Sequence, residues 1–198
     1  MDDGSTDGSG ESCDKYAEQD RRVTVCHKPN GGLSDARNDG IARAKGTYVT
    51  CVDPDDSVTP DYIAYLYALI QTYGTNLAIA QHSVWKDGRV IHAYGHPGQE
   101  CLSNKVCIER MLYDEVINTS AWGKLYRKSL FDQVRYPSGK AFEDIATTYR
   151  LFLQCDQIAV GYESKYNYML REDSIVNSVF SPRKLDLLEM TDEMGENL

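Results

Sequence analysis

Three carboxylates stand close together at the end of one short apolar segment. Tyr48–Val52 is a run of apolar and β-favouring residues, which is typical of a buried strand. Asp53, Asp55 and Asp56 follow it directly, and Pro54 should end the strand because proline fixes φ and donates no hydrogen bond. Acids this close repel one another unless a cation or hydrogen-bond donors compensate. Since magnesium is usually bound by one or two carboxylates together with substrate phosphates, the spacing indicates a metal–diphosphate site.

Two other interpretations of the acidic segments stay open. The carboxylates after Val52 would also suit a solvated turn before the next helix. Near the start, Asp3, Ser5 and Asp7, with Asp14 further on, match part of an EF-hand calcium loop. Asp14 stands where that loop needs a bidentate Glu, and we expect no helix before Asp3, so a calcium-binding module is the weaker alternative.

The composition excludes several classes of protein. The chain has 198 residues, of which 41% are hydrophobic and 26% charged, as in ordinary globular domains. Its formal net charge of −9 argues against nucleic acid as the main partner. No apolar run approaches the ~20 residues of a membrane span, and the first residues do not resemble a signal peptide. The six cysteines form no C-x-x-C pair, so we expect reduced thiols in a cytoplasmic protein.

Helical and strand patterns alternate along the first 75 residues. The predicted helices are Glu11–Gln19, Leu33–Lys45 and Pro60–Tyr73, and the predicted strands are Val23–His27 and Tyr48–Val52. We expect Ser34 to cap the second helix, and Gly46 and Gly74 to end the second and third helices. This alternation predicts an α/β sandwich with a mostly parallel sheet.

The pattern becomes more irregular after residue 75. Leu77–Trp85 and Arg89–Tyr94 predict a hairpin around a Lys-Asp-Gly turn, and residues 95–102 read as a loop. The remaining predicted elements are helices over Lys105–Tyr113, Phe142–Leu153 and Pro182–Leu198, and one or two strands over Ile158–Met169. No interdomain linker is visible, so residues 1–198 should form a single domain.

Five segments, in chain order, carry a resemblance to a known family. Asp2–Ser9, Asn30–Gly40 and Lys45–Asp56 resemble the motifs of family-2 glycosyltransferases of GT-A fold. Trp122–Arg127 is similar to a segment of bacterial members that build surface polysaccharides. Phe142–Asp144 resembles the Glu-Asp pair that carries the catalytic base. The resemblance spans nearly the whole chain.

The resemblance implies a fold and a reaction. The fold would be a Rossmann-like GT-A three-layer sandwich, with residues 1–75 as the nucleotide and metal half and residues 76–198 as the acceptor half. The reaction would be inverting, metal-assisted sugar transfer from a nucleotide-diphosphate sugar, using Mg²⁺ or Mn²⁺. The acceptor would be a saccharide or a lipid-linked saccharide, and the pathway cell-surface polysaccharide synthesis.

The resemblance also implies roles for particular residues. The implied site residues are the general base Asp144, the metal ligand Asp55, the nucleotide-sugar contacts Asp3, Arg37 and Asp53, and the possible acceptor contacts Trp122, Lys124 and Glu143. Structural alternatives exist for several of them, and Asp3 would also suit an ordinary Asp-Gly turn. Arg37 would also suit a surface ion pair, Asp144 a helix N-terminal acid favoured by the macrodipole, and Trp122 core packing.

One departure from the family concerns the start of the chain. Family members have a strand, a helix and a second strand before the Asp-Asp-Gly-Ser loop, whereas Met1 stands where that second strand would end. The absent first strand belongs in the middle of the sheet. We therefore expect an N-terminally truncated fold, with unpaired strand edges at Tyr48–Val52 and Val23–His27, and self-association through them. A catalytically inactive member of the family is the alternative function.

Overall fold

A computed structural model describes residues 1–113, 117–171 and 180–198, which form one sheet with helices on both faces. The helices are α1 (Ser9–Gln19), α2 (Leu33–Arg43), α3 (Tyr62–Tyr73), α4 (Asn104–Leu112), α5 (Glu143–Leu153) and α6 (Asp186–Asn197), with short 3-10 helices at Lys128–Asp132 and Pro182–Leu185. The strands are β1 (Tyr48–Val49), β2 (Ser57–Val58), β3 (Leu77–Lys86), β4 (Arg89–Ala93), β5 (Gln99–Ser103), β6 (Lys124–Arg127) and β7 (Gln157–Met169).

The sheet is mixed, not mostly parallel as predicted. Its strand order is β1-β6-β3-β7-β2, with β4 beside β3 and β5 beside β7. Among the strands of the described ranges, β3 and β7 pair in parallel and the other pairings are antiparallel. The reason lies in the first half, where β1 has two residues and Val23–His27 forms one bridge, from His27 to Asp2. The ladders come mainly from the second half, where hairpins and returning strands meet antiparallel.

Side chains alternate along β3 into two cores. Leu77 and Ile79 pack with residues of α2, α4, α5 and α6, whereas Ala78 and Ala80 pack on the opposite face against α3, around Leu66. This period of two follows from strand geometry. Because both faces of the sheet are covered there, the first four residues of β3, Leu77–Ala80, are all apolar. The three-layer α/β architecture is therefore confirmed.

The predicted helices are confirmed, with shifted ends for α2 and for the C-terminal helix, where Pro182–Leu185 is a 3-10 helix and α6 begins at Asp186. Gly74 ends α3 in the left-handed region at φ 66°, where a residue without Cβ is unstrained. α2 ends at Arg43, before the expected Gly46, and its N-cap is Gly32 instead of Ser34. Ser34 lies inside the first turn, where its side chain is buried and its Oγ has no hydrogen-bond partner among the described residues.

The second half contains two strands that the sequence pattern did not predict, β5 and β6. The hairpin is confirmed as β3 and β4, but the segment 95–102 is not a plain loop, because it includes most of β5. Gln99–Ser103 pairs antiparallel with Gln157–Gly161 at the start of β7. The residues of β5 do not show the apolar alternation that predicts a strand. The strand forms because its backbone pairs with that of β7.

Two composition-based expectations can be compared with the structure. All six cysteines are free thiols, in agreement with the reduced state expected for them. None of the helices in the described ranges combines the length and the hydrophobicity that crossing a membrane requires.

A histidine between two carboxylates anchors the first residues. His27 Nδ1 lies 2.6 Å from Asp2 Oδ2, and its Nε2 lies 3.0 Å from Asp14 Oδ1. The hydrogen bonds with Asp2 and Asp14 raise the pKa of His27 above its ordinary value. Hydrogen bonds from Ser5 and then His27 hold the pKa of Asp2 well below its usual range. Since α1 buries none of its residues, Asp14 is its side-chain link to the rest of the domain.

We expect this link to make stability depend on pH. His27 has a raised folded pKa, so its contribution is fully present below its unfolded pKa of about 6.5 and is lost as pH rises through the folded pKa. Asp2 has a lowered folded pKa, so its contribution is present above about pH 3.9 and is lost as pH falls through the folded value. The difference in unfolding free energy between wild type and His27→Gln should peak between about pH 4.5 and 6.

Urea unfolding followed by circular dichroism between pH 4 and 9 measures this difference. The matched control is His92→Gln, since His92 is exposed on the β3–β4 hairpin and its replacement should produce no such maximum. A His27→Gln difference that stays constant across this range would contradict the proposed link.

Candidate functional site

The Arg37 guanidinium joins two acidic segments that are far apart in the sequence. Its Nη2 donates to Asp53 Oδ1 at 2.9 Å, and its Nη1 donates to Glu143 Oε1. The side chains are 9% exposed for Arg37, 24% for Asp53 and 10% for Glu143. The guanidinium also lies over the Tyr136 ring, 5.4 Å from its centroid. Because Arg37 is buried and pairs with distant acids, it is not the surface helix pair that was one alternative.

Burial and charge oppose each other in this cluster. Burial disfavours the charged guanidinium, but the Asp53 and Glu143 carboxylates outweigh it and raise the pKa of Arg37. Burial raises the pKa of Glu143 and that of Asp144, and the Arg37 charge opposes both shifts. A carboxylate with a raised pKa is a stronger base, so this acid pair has the electrostatics of a proton acceptor.

A strained residue places the acid pair at the start of α5. Phe142 has φ 57° and ψ 36°, a left-handed conformation that is uncommon for a residue other than glycine. Such strain costs of order 1–3 kcal/mol and is found mostly at functional sites. Glu143 and Asp144 then occupy the first turn, where the helix dipole favours negative charge. Asp144 Oδ1 accepts a hydrogen bond from its neighbour Ile145 N at 2.9 Å.

The three carboxylates after β1 have different partners. Asp53 binds Arg37, as described. Asp56 accepts hydrogen bonds from Tyr166 Oη at 2.7 Å and Met169 N at 2.8 Å, which fix the turn against β7. Asp55 is exposed, and Arg171 Nη1 lies 3.8 Å from its Oδ2. Asp55 is therefore the carboxylate of this turn that remains open to an external ligand.

This turn is better suited to a magnesium-type ion that keeps part of its water than to a metal ion enclosed by protein ligands. Among the described residues, no three His, Cys, Asp or Glu side chains are grouped closely enough to enclose a metal. Magnesium keeps several waters and takes one or two carboxylates together with substrate phosphates. One open carboxylate, Asp55, with Asp53 two residues before it, fits that donor set.

Asp3 orders the loop before α2. Its carboxylate accepts from Lys28 Nζ at 2.6 Å and from the backbone N–H groups of Gly31 and Gly32, at 3.0 and 2.7 Å. The hydrogen bond from Lys28 contributes most to lowering the pKa of Asp3. Its contact with a nucleotide stays a prediction. Because Asp14 is bound in the histidine link, the residues of the calcium-loop alternative do not converge on one point.

Trp122 lies in an aromatic stack beneath the carboxylate turn. Its ring is nearly parallel to those of Tyr166 and Tyr168, with centroids 4.4 and 5.7 Å away. Tyr166 Oη accepts a hydrogen bond from Asp53 N at 3.1 Å and donates to Asp56. The half-buried Trp122 thus packs as the core alternative predicted, and its contact with an acceptor stays a prediction.

The buried Lys124 side chain holds the loop that precedes β6. The side chain is buried, and its Nζ donates to Ser120 O at 2.7 Å and to Asn118 Oδ1 at 3.0 Å. Burial lowers the pKa of Lys124 to about 7, while the charge of Asp144 opposes this shift. The hydrogen bonds hold the loop 118–122, so an acceptor contact for Lys124 also stays a prediction.

Two cavities flank the Arg37 cluster. The first, of about 490 Å³, lies between α2 and residues 48–54 and is lined by Arg37 and Asp53 among others. The second, of about 240 Å³, lies between the first turns of α2 and α5 and the segment 181–184, and is lined by Glu143. Leu33 lines both cavities. The structure therefore brings Arg37, Asp53 and the Glu143–Asp144 pair together, with Asp55 at the rim.

Sequence comparison decides the family. The family described as Glycosyl transferase family 2 matches residues 1–135. The chain belongs to this family. "Glycosyltransferase GlyG" of Streptococcus pneumoniae is 34% identical over 91% of the chain and 63% of its own length. "Minor teichoic acid biosynthesis protein GgaB" of Bacillus subtilis is 27% identical over 87% of the chain and 19% of its own length. The chain spans less than two thirds of the length of the curated relatives that it matches.

Solved structures support the fold of this glycosyltransferase domain. Staphylococcus aureus TarS 1–349, solved in complex with UDP-GlcNAc, superposes with a TM-score of 0.78 at 21% identity. The match covers 98% of this chain and 56% of that chain. The expected GT-A fold is therefore confirmed, with the mixed sheet described above.

Sequence reasoning missed several residues that position the candidate site. Phe142 carries no sign of a left-handed conformation in its residue type. Tyr166 and Asp56 are 110 residues apart, and the hydrogen bond between them follows from the placement of β7 beside β2. The one available signal was the alternation of Tyr166 with Tyr168 along a predicted strand, which places both rings on the same face.

We expect Arg37→Met to lower the free energy of unfolding by about 3 kcal/mol or more. Removing one partner of a buried ion pair leaves the others as uncompensated buried charges, which typically costs 3–5 kcal/mol. Urea unfolding measures the loss. Adding Glu143→Gln to Arg37→Met should recover part of it, because one of the stranded charges is then removed.

The matched control for Arg37 is Arg43→Met, on the exposed part of the same helix. Exposed substitutions of this kind usually change stability by less than about 0.5 kcal/mol. Equal effects of the Arg37 and Arg43 substitutions would show that the Arg37 cluster is not a stabilising centre.

Proposed function

We propose that this protein is an inverting glycosyltransferase that moves a sugar from a nucleotide-diphosphate sugar to an acceptor hydroxyl, with metal assistance. The observation that carries the proposal is the Arg37 cluster. One guanidinium binds Asp53, from the carboxylate turn, and Glu143, the neighbour of Asp144. Groups suited to a metal–diphosphate and a group suited to proton transfer therefore lie on either side of the same side chain.

The donor would lie along the first cavity, at the carboxylate turn. Family membership supports a nucleotide-sugar donor, as does the presence of UDP-GlcNAc in the TarS structure. Asp55 would hold Mg²⁺ or Mn²⁺, and the ion would supply a Lewis acid for the departing diphosphate. Asp53 is oriented by Arg37 and by the hydrogen bond between its backbone N–H and Tyr166. Asp3 and Arg37 would contribute to the nucleotide side of the pocket.

Proton transfer would fall to Asp144. In an inverting transfer the acceptor oxygen attacks the anomeric carbon as the bond to the diphosphate breaks, and one base takes the hydroxyl proton. Asp144 Oδ1 accepts the Ile145 N–H, so Oδ2 is the oxygen available for that proton. Burial raises the pKa of Asp144, which strengthens it as a base, and the charges of Arg37 and Lys124 oppose the shift.

The acceptor would be a saccharide or lipid-linked saccharide used in cell-surface polysaccharide synthesis, on the cytoplasmic side. The teichoic acid pathway named for GgaB supports a cell-wall polymer. The alternative is a catalytically inactive member of the family. Titration with UDP, with and without Mn²⁺, separates the two, because the non-catalytic alternative predicts no metal-dependent binding.

Asp55→Asn should abolish the metal-dependent part of UDP binding while leaving the fold intact. The amide keeps the shape of the carboxylate but lacks the charge that attracts a divalent cation. Isothermal titration with and without Mn²⁺ measures the effect. The control is Asp87→Asn, an equally isosteric change in the β3–β4 turn. If the Asp55 variant keeps the Mn²⁺ dependence of the wild type, the metal-ligand role is excluded.

Asp144→Asn should separate binding from chemistry. We expect affinity for the nucleotide-sugar to be nearly unchanged and transfer in an active form of the protein to fall by roughly 10²–10⁴, the usual contribution of a general base. Asp156→Asn serves as control, because it makes the same change at an exposed residue shortly after α5. A parallel loss of binding and transfer in Asp144→Asn would assign that residue a structural role instead.

A further inference from the structure

The second cavity presents hydrogen-bond donors that the proposed mechanism does not use. Its floor is the first turn of α2, whose leading N–H groups have no acceptor within the helix. Gly32 is the N-cap residue and supplies no side chain to satisfy them. The Asp3 carboxylate takes the N–H groups of Gly31 and Gly32, which lie just before the helix. The donors of the first turn itself therefore remain available.

Ser34 is an independent sign of an absent ligand. The residue is 3% exposed and lines this cavity, and its Oγ makes no hydrogen bond within the part of the chain that the structure describes. A buried hydroxyl without a partner is costly, so such groups usually have a role. An acceptor atom of a ligand in the cavity would satisfy both the hydroxyl and the helix N–H groups.

The charges around the cavity favour an anion. Lys140, Arg183 and Lys184 line it, and Glu143 is the one acid among its described lining residues. The charge of Glu143 is balanced by Arg37. Lys140 Nζ forms ion pairs with Glu189 Oε2 at 2.6 Å and with Asp186 Oδ1 at 3.5 Å. Arg183 is exposed and makes no ion pair within the described residues, although it lies near enough to lower the pKa of Asp186.

We propose that this cavity binds a phosphate group of the acceptor, an inference that rests on the proposed glycosyltransferase function. The ligand would accept hydrogen bonds from the first turn of α2 and from Ser34 Oγ, and would pair with Arg183. The cavity volume of about 240 Å³ accommodates such a group with some water, since each water takes about 30 Å³ in the liquid.

The position of the cavity assigns the phosphate to the acceptor rather than to the donor. Glu143 lines the cavity, and the next residue is Asp144, the base that the proposed function assigns to the acceptor hydroxyl. The donor's diphosphate belongs with Asp53 and Asp55, on the other side of the Arg37 guanidinium. A phosphate held in the second cavity would therefore orient the acceptor without occupying the donor site.

Titration of the protein with inorganic phosphate, alone and with saturating UDP and Mn²⁺, tests the proposal. We expect phosphate to bind equally well in both conditions. Arg183→Glu should weaken phosphate binding about tenfold or more, because a charge-assisted contact is replaced by repulsion. Ser34→Ala, which alters only one hydroxyl, should weaken it in the same direction. The affinity for UDP should be unchanged in both variants.

Arg89→Glu is the matched control, because it makes the same charge change on the exposed β4 strand and should leave phosphate binding unaltered. Competition between phosphate and UDP would overturn the assignment to the acceptor, since the ion would then occupy the donor site. Equal phosphate binding by wild type, Arg183→Glu and Ser34→Ala would overturn the site itself. Failure to bind UDP would instead count against the proposed function, so the two failures are distinguishable.

Discussion

The site depends on one buried positive charge. Removing a guanidinium from water is expensive, and the cost is offset only when carboxylates with good geometry surround it. Arg37 obtains them from two places, Asp53 after β1 and Glu143 at the start of α5. Since arginine stays protonated at any ordinary pH, Arg37 needs these carboxylates under all such conditions. The positions of α2, of the carboxylate turn and of the acid pair are therefore fixed relative to one another by electrostatics, in addition to hydrophobic packing.

The same constraint resolves the repulsion within the carboxylate turn. Three adjacent acids would be unfavourable if all faced solvent together, but each has a different environment. Asp53 is neutralised by Arg37. Asp56 accepts hydrogen bonds from Tyr166 and Met169 on β7, and the Tyr166 ring stacks with Trp122. Asp55 is left exposed at the rim. Two acids thus build the turn, and the third remains available to a ligand.

Local chemistry could be predicted from the sequence, and long-range pairing could not. The helices α3, α4 and α5, the β3–β4 hairpin and the Gly74 terminus follow from periodicity and turn residues. The mixed sheet does not, because strand direction depends on which segments meet: β7 pairs in parallel with β3 and antiparallel with β5 and β2. Arg37 was identified only through a family resemblance. Its partner Glu143 is 106 residues away, and nothing in the local sequence specifies that contact.

The electrostatics of the acid pair explain why a buried carboxylate that is proposed as a base has cations nearby. Burial strengthens Asp144 as a base by raising its pKa, but a large rise would leave it protonated and unable to accept a proton at neutral pH. Arg37 and Lys124 oppose burial and favour the carboxylate form. Neither needs to contact the acceptor to do so: Arg37 is held between Asp53 and Glu143, and Lys124 is held by the loop 118–122. The two cations serve structural and electrostatic roles at once, which accounts for their burial beside the acid pair.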